Sequence, residues 1–135
     1  MMRAMTSQTS PSICLYGIPN CDTVKKARAW LTAQGLEYRF HDFKKQGVPT
    51  DRALAWQQAA GWQRLINRQG TTWRKLDPYA QALAGDADGA LALMSEQPSV
   101  IKRPVVEWAT AAGSPITVGF DENEWNEALK AVSKS

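Results

Sequence analysis

Ile13-Cys14-Leu15-Tyr16 is an unbroken apolar run closed by Gly17 and Pro19, a pattern that predicts a buried strand. From Asp22 the period lengthens. Val24, Ala27, Trp30 and Leu31 recur at helical spacing, and Gly35 stands where a C-terminal cap belongs. Glu37 to Phe43 alternates and gives way to the polar Lys44-Lys45-Gln46-Gly47, predicting a second strand, parallel to the first by the crossover rule. Thr50-Asp51 can cap a helix running through Leu54, Ala55 and Ala59 to Gly61. Short helices interrupted at Gly70 and Pro78 follow, then a helix ending before Pro98. β-Branched residues after Pro104 and at Ile116 to Val118 predict two more strands, and a helix runs from about Asp121 to Val132. The order is β-α-β, a helical middle, then β-β-α. It predicts an α/β, thioredoxin-like domain over 13–135 with a helical insertion over about 48–98.

Length and composition leave this picture intact. A chain of 135 residues with 44% hydrophobic and 21% charged residues suits one soluble domain with its own core. Residues 1–12 hold one Arg and no apolar run of signal-peptide length, and read as a disordered tail. No segment approaches the ~20 apolar residues of a membrane span. The net charge of +3 comes from scattered basic residues, so direct nucleic-acid binding is not expected. Two cysteines are too few for a disulfide scaffold, which points to a reducing, cytoplasmic setting. With one histidine besides, no metal site is expected.

The two cysteines differ in position. Cys14 lies inside the apolar strand and reads as a small buried hydrophobe. It sits about 10 Å back from the strand end at ~3.3 Å per residue, beyond the ~7 Å Cα limit for a disulfide with Cys21. Cys21 follows a Gly-x-Pro turn and opens a helix, where free N–H groups and the helix dipole favour a thiolate. Asp22 opposes this with its own charge, while Lys25 and Lys26 lie within the first turn or so. Val24 occupies the position of a resolving cysteine, so a small thiol or a partner protein must resolve any thiol redox chemistry.

Five blocks in colinear order carry a resemblance: LYGIPNCDTVKKARAWL, EYRFHDFKKQG, LINRQGTTWRKL, PSVIKRPVVEW and PITVGF. Together, from about Ile13 to Leu129, they resemble the arsenate-reductase-like (ArsC) family, and within it the Spx/YffB branch. The resemblance implies a thioredoxin-like fold with a mixed four-stranded sheet and an inserted helical subdomain. It implies that Cys21 is the active-site thiol, and that Arg68, Arg103, Asn20 and Thr23 serve an anionic substrate. Pro104 matches the fold's cis-proline, with Pro19 as a second structural residue at the site; a trans Pro104 is the alternative. The implied function is that of a glutathione-dependent thiol reductase with glutathione as co-substrate and glutaredoxin as a further partner. Spx-type members bind RNA polymerase instead, using a C-x-x-C switch that Val24 removes here. Two departures weigh against arsenate reduction. Gly17 stands where arsenate reductases of the family have a histidine, and Gly119 or Phe120 where they have a third arginine. His41 reads as structural, and Trp73-Arg74-Lys75 match a family block to which no role is assigned.

Overall fold

The computed structural model describes residues 13–109 and 115–133, so the expected N-terminal tail lies outside the described residues. Strand β1 (Ile13–Gly17) runs parallel to β2 (Arg39–Asp42), with helix α1 (Asp22–Ala33) connecting them. On its other edge β1 pairs antiparallel with β3 (Val105–Trp108), which pairs antiparallel with β4 (Ile116–Val118). The sheet is mixed and four-stranded, in the order β2-β1-β3-β4. A strand flanked on both edges and covered on both faces has no polar side, which accounts for β1's continuous apolar run and the burial of all five residues. Helix α1 ends in a Schellman motif: Gly35, at φ +72°, donates to Thr32 O, and Leu36 donates to Leu31 O.

Alternation along the strands divides the core between the two faces of the sheet. Ile13, Leu15, Val106 and Trp108 meet Val24, Ala27 and Leu31 of α1 and Trp125 of the C-terminal helix α8 (Glu122–Ser133). Asp121 caps α8, accepting from the amides of Asn123 and Glu124. Cys14, Tyr16 and Val105 point the other way, toward the helical insertion. That insertion lies between β2 and β3. It comprises α2 (Phe43–Gln46), α3 (Thr50–Ala60), α4 (Trp62–Leu65), α5 (Thr71–Lys75), α6 (Pro78–Leu83), α7 (Ala87–Glu96) and a 3-10 turn (Pro98–Val100). Trp56 of α3, fully buried, packs edge-on against Tyr16 at 4.6 Å between ring centroids.

A polar seam joins the insertion to the sheet. Glu107 accepts from Tyr16 Oη at 3.0 Å, from Trp56 Nε1 at 2.8 Å and from Arg52 Nε at 2.8 Å. Each buried donor therefore has an acceptor, and the carboxylate has a guanidinium partner.

The structure departs from the expected elements in two places. The second strand is shorter than Glu37 to Phe43, because the Asp42 side chain accepts from Lys44 N and starts the single turn α2 at Phe43. Helix α3 starts at Thr50 itself. Its cap residue is Pro49, whose carbonyl accepts from Ala53 N, so neither Thr50 nor Asp51 is the cap. Asp51 instead lies in the first turn, where its charge complements the helix dipole.

Candidate active site

Cys21 is the cap residue of α1, with extended backbone (φ −121°, ψ 125°) and a half-buried thiol. The turn Ile18-Pro19-Asn20 brings the chain off the end of β1, and Cys21 O accepts from Lys25 N at 2.9 Å to open the helix. Burial pushes the thiol's pKa up. The Val24 N–H, the Arg103 guanidinium and the Thr23 N–H outweigh burial, so the pKa falls below the ordinary cysteine value. A cleft of about 290 Å³ opens beside the sulfur, lined by Cys21, Thr23, Asn67, Lys102 and Arg103, with Gly119 and Phe120 closing one side.

Arg103 reaches this cleft from the link between the 3-10 turn and β3. Its peptide bond to the buried Pro104 is cis, as the resemblance implies. Nη1 donates to Ser99 O at 2.8 Å and more distantly to Ile101 O at 3.4 Å, while Nε–H is buried and finds no acceptor among the described residues. The guanidinium is thus held at one corner and retains donor capacity.

Arg68 is placed elsewhere. It lines a second cleft, also of about 290 Å³, which adjoins the first and shares Asn67 and Lys102 with it. Its guanidinium lies 5.6 Å from the centroid of the Trp73 ring, which gives the Trp73 block a contact with the site region. Thr23 lines the thiol cleft, whereas Pro19 and Asn20 are exposed in the preceding turn and do not.

Asn67 and Lys102 escaped sequence reasoning. They are brought together by a short antiparallel contact between distant segments: Ile66 pairs with Ile101, Asn67 N donates to Val100 O and Lys102 N to Leu65 O. The only sequence signal was adjacency, since each precedes an arginine that the resemblance marks.

The remaining candidates have structural partners. His41 Nε2 lies 2.8 Å from Gly47 O, and its ring packs on Tyr16 at 5.0 Å. Cys14 is buried and free. It belongs to the core on the insertion side, whereas Cys21 packs against the α1/α8 core on the opposite face. Val24 is fully buried, and a Cβ at Gly17 would come within 2.9 Å of its Cγ2, so the strand end has no room there for a side chain. Gly119 and Phe120 form cleft wall with no charge. Among the described residues no three His, Cys, Asp or Glu side chains gather as a metal site, and no helix is long and apolar enough to cross a membrane.

Comparison with known proteins places this geometry in a family. An uncharacterized protein of Haemophilus influenzae is 36% identical over 117 residues, covering 87% of this chain and 98% of its own. The solved structure of a YffB protein is 44% identical with a TM-score of 0.77, over 87% of this chain and 98% of that one. An arsenate reductase (ArsC) related protein from Brucella melitensis is 41% identical with a TM-score of 0.65, over 88% of this chain and 95% of its own. The global transcriptional regulator Spx of Streptococcus mutans is 25% identical over 114 residues, covering 83% of this chain and 79% of its own. These likenesses extend over the thioredoxin-like sheet and the insertion together. The ArsC family model matches residues 16–128, and the chain belongs to the ArsC family.

Proposed function

We propose that this protein is a cytoplasmic, glutathione-dependent monothiol oxidoreductase with Cys21 as its nucleophile. One observation carries the reading: the acidified Cys21 thiol shares a cleft with Arg103, and the other cysteine lies in the core on the far face of the sheet. In the first step Cys21 thiolate attacks one sulfur of a substrate disulfide. The substrate S–S bond breaks, its second sulfur leaves with the electron pair as a thiolate and takes a proton from water, and a Cys21 mixed disulfide forms. In the second step glutathione thiolate attacks the substrate-derived sulfur of that mixed disulfide. Cys21 leaves as thiolate, and the new disulfide carries away the oxidising equivalents. Arg103 favours both the attacking and the departing Cys21 thiolate, because each bears negative charge beside the guanidinium. Thr23 contributes an N–H directed to the same charge, and Arg68 and Lys102 attract the co-substrate's carboxylates. Asn20 and Pro19 shape the turn that presents the thiol.

Arsenate reduction is disfavoured by the uncharged wall at Gly119 and Phe120 and by the filled space at Gly17. A regulator that binds RNA polymerase, as the likeness to Spx suggests, would use the same fold without a thiol switch, since Val24 supplies no second sulfur.

The test is intact-mass analysis after incubation with oxidised glutathione. One glutathionyl adduct at Cys21, absent in Cys21→Ser and reversed by reduced glutathione, supports the enzyme. No adduct, with RNA polymerase recovered on the immobilised protein, favours the regulator.

A further inference from the structure

Among the described residues one large apolar side chain lines the thiol cleft, that of Phe120. The rest of the wall around Cys21 is Thr23, Asn67, Lys102, Arg103 and Gly119. Phe120 sits half-buried in the link between β4 and α8, and its ring is fixed from behind. It meets the fully buried Trp125 edge-on at 4.7 Å between centroids, and Trp30 of α1 at 6.4 Å. The preceding Gly119, at φ +85°, donates its N–H to Pro104 O at 2.8 Å, and its carbonyl accepts from Trp125 Nε1 at 3.3 Å. A Cβ at Gly119 would also come within 3.1 Å of Lys102 Cε, so the left-handed turn and the close approach both call for glycine. The turn that delivers Phe120 to the cleft is thus tied to the cis-proline segment that delivers Arg103. Trp125 and Trp30 cover part of the ring. The remainder faces the cleft beside a reactive sulfur, where an apolar surface gains by being covered.

We propose that Phe120 is a specificity residue for the substrate half-reaction, selecting peptidyl disulfides that carry an apolar side chain next to the reacting cysteine. The inference deepens the thiol-oxidoreductase reading and rests on it for the identity of the reacting group. At about 290 Å³ the cleft lies at the lower edge of the ~300–1,000 Å³ range of small-molecule sites, so a group joined to Cys21 Sγ there lies against its walls. When Cys21 thiolate attacks, one substrate sulfur bonds to it and the substrate S–S bond breaks. The other sulfur leaves with the electron pair as a thiolate and takes a proton from water. The half retained on Cys21 then has its neighbouring side chain beside Phe120. Glutathione thiolate carries that half away as a new disulfide, and Cys21 leaves as thiolate. Glutathione has no apolar side chain beside its cysteine, so Phe120 has no counterpart in the resolving thiol. The two half-reactions are therefore read by different residues, the aromatic wall for the substrate and the cation for the co-substrate.

The test uses the symmetrical disulfides of N-acetyl-Cys-Leu-amide and N-acetyl-Cys-Ser-amide, both uncharged. Formation of the Cys21 mixed disulfide is followed by mass, and each rate is divided by the iodoacetamide rate of the same protein, which removes differences in the thiol itself. The leucine disulfide should react roughly three- to ten-fold faster, the worth of half-burying one leucine-sized side chain. Phe120→Gln should bring the ratio of the two rates near one, and Phe120→Leu should keep most of it. Leu83→Gln, which removes an exposed apolar side chain from α6, should leave the ratio as in the native protein. Equal rates in the native protein overturn the proposal, as does a preference that survives Phe120→Gln or is lost equally in Leu83→Gln. If the Phe120 variants do not fold, the leucine mixed disulfide of the native protein decides by NMR. Leucine methyl resonances moved upfield, with cross-relaxation to the Phe120 ring, support the proposal, and methyls at free-peptide positions overturn it. If neither peptide forms a mixed disulfide while iodoacetamide labels Cys21, the thiol-oxidoreductase reading falls and takes the substrate assignment with it. If both form equally and glutathione releases both, that reading stands and Phe120 has no part in selection.

Discussion

Replacing Arg103 by Ala separates two effects that the site combines. The guanidinium lowers the pKa of Cys21, and it lines the same cleft, where the proposed anionic co-substrate would approach. Losing the first effect raises the thiol pKa. For each unit of rise the thiolate fraction below the midpoint falls about ten-fold, but each thiolate becomes roughly three-fold more nucleophilic at a Brønsted slope of ~0.4–0.5. The net cost to thiol reactivity is thus only about three-fold per unit. Losing a charge-assisted hydrogen bond to a substrate carboxylate costs ~1.5–3 kcal/mol, or roughly ten- to a hundred-fold in rate. Rates of Cys21 modification by neutral iodoacetamide and by oxidised glutathione, followed by mass from pH 4 to 10, distinguish the two. The iodoacetamide midpoint should move up with a plateau no lower than native, while the glutathione rate at neutral pH falls much further than the iodoacetamide rate. Arg103→Lys should restore part of the acidity and less of the glutathione rate, because an ammonium lacks the fixed fork. An unmoved midpoint in Arg103→Ala would refute the coupling of Arg103 to the thiol. Parallel losses with both reagents would show that Arg103 does not contact the substrate.

Other outcomes follow from the same structure. Because the folded-state pKa of Cys21 is depressed, its ionisation adds stability that is fully present above the unfolded cysteine value of ~8.5 and is lost as pH falls through the folded pKa. The stability advantage of the native protein over Cys21→Ser in denaturant titrations should therefore be larger at about pH 9 than at about pH 6, and a constant difference would contradict the depressed pKa. Tyr16 behaves oppositely: burial first, then Cys14 and Glu107, hold its phenol above the ordinary tyrosine value. That stability is intact below the unfolded value of ~10 and declines above it, so Tyr16→Phe should flatten the alkaline loss of stability, and an unchanged alkaline limb would exclude Tyr16 as its source. Glu107→Gln leaves Arg52 without its ion pair and turns an amide donor toward a group that already donates. It should cost about 2 kcal/mol by chemical denaturation, and a cost within error of zero would remove the seam as a tie between insertion and sheet.

How much of this was legible in the sequence depended on range. An unbroken apolar run identified β1, and helical spacing identified α1, because each signal comes from neighbours a few residues apart. Gly35 was readable as a helix end for the same local reason. Competing local chemistry moved the boundaries elsewhere: the Asp42 carboxylate turned the end of a strand into a helical turn, and Pro49 displaced Thr50 from the cap. Cys21 was legible because part of its activation is local, arising from the Val24 and Thr23 amides, while the Arg103 part is long-range. The shared wall of the two clefts was not. Asn67 and Lys102 lie 35 residues apart and meet through backbone pairing that no periodicity encodes. Glu107 likewise reads as an ordinary polar position in a strand, and its donors come from 51, 55 and 91 residues away. The resemblance supplied Arg68 and Arg103 as a pair, and the structure divides them between two clefts.

The packing at the strand end bears on the absence of a second thiol beside Cys21. A thiol that closes an internal disulfide needs a second sulfur in the first turn of the helix, where this protein has Val24 packed against Gly17 beneath the strand end. The two residues are coupled by contact. A larger residue at Gly17 would displace Val24, and Val24 fills the space that a side chain at Gly17 would need. The result is an apolar contact at the strand end, with no second sulfur in the first turn of α1. On the proposed monothiol mechanism, the oxidised form of Cys21 is therefore a bond to an external sulfur.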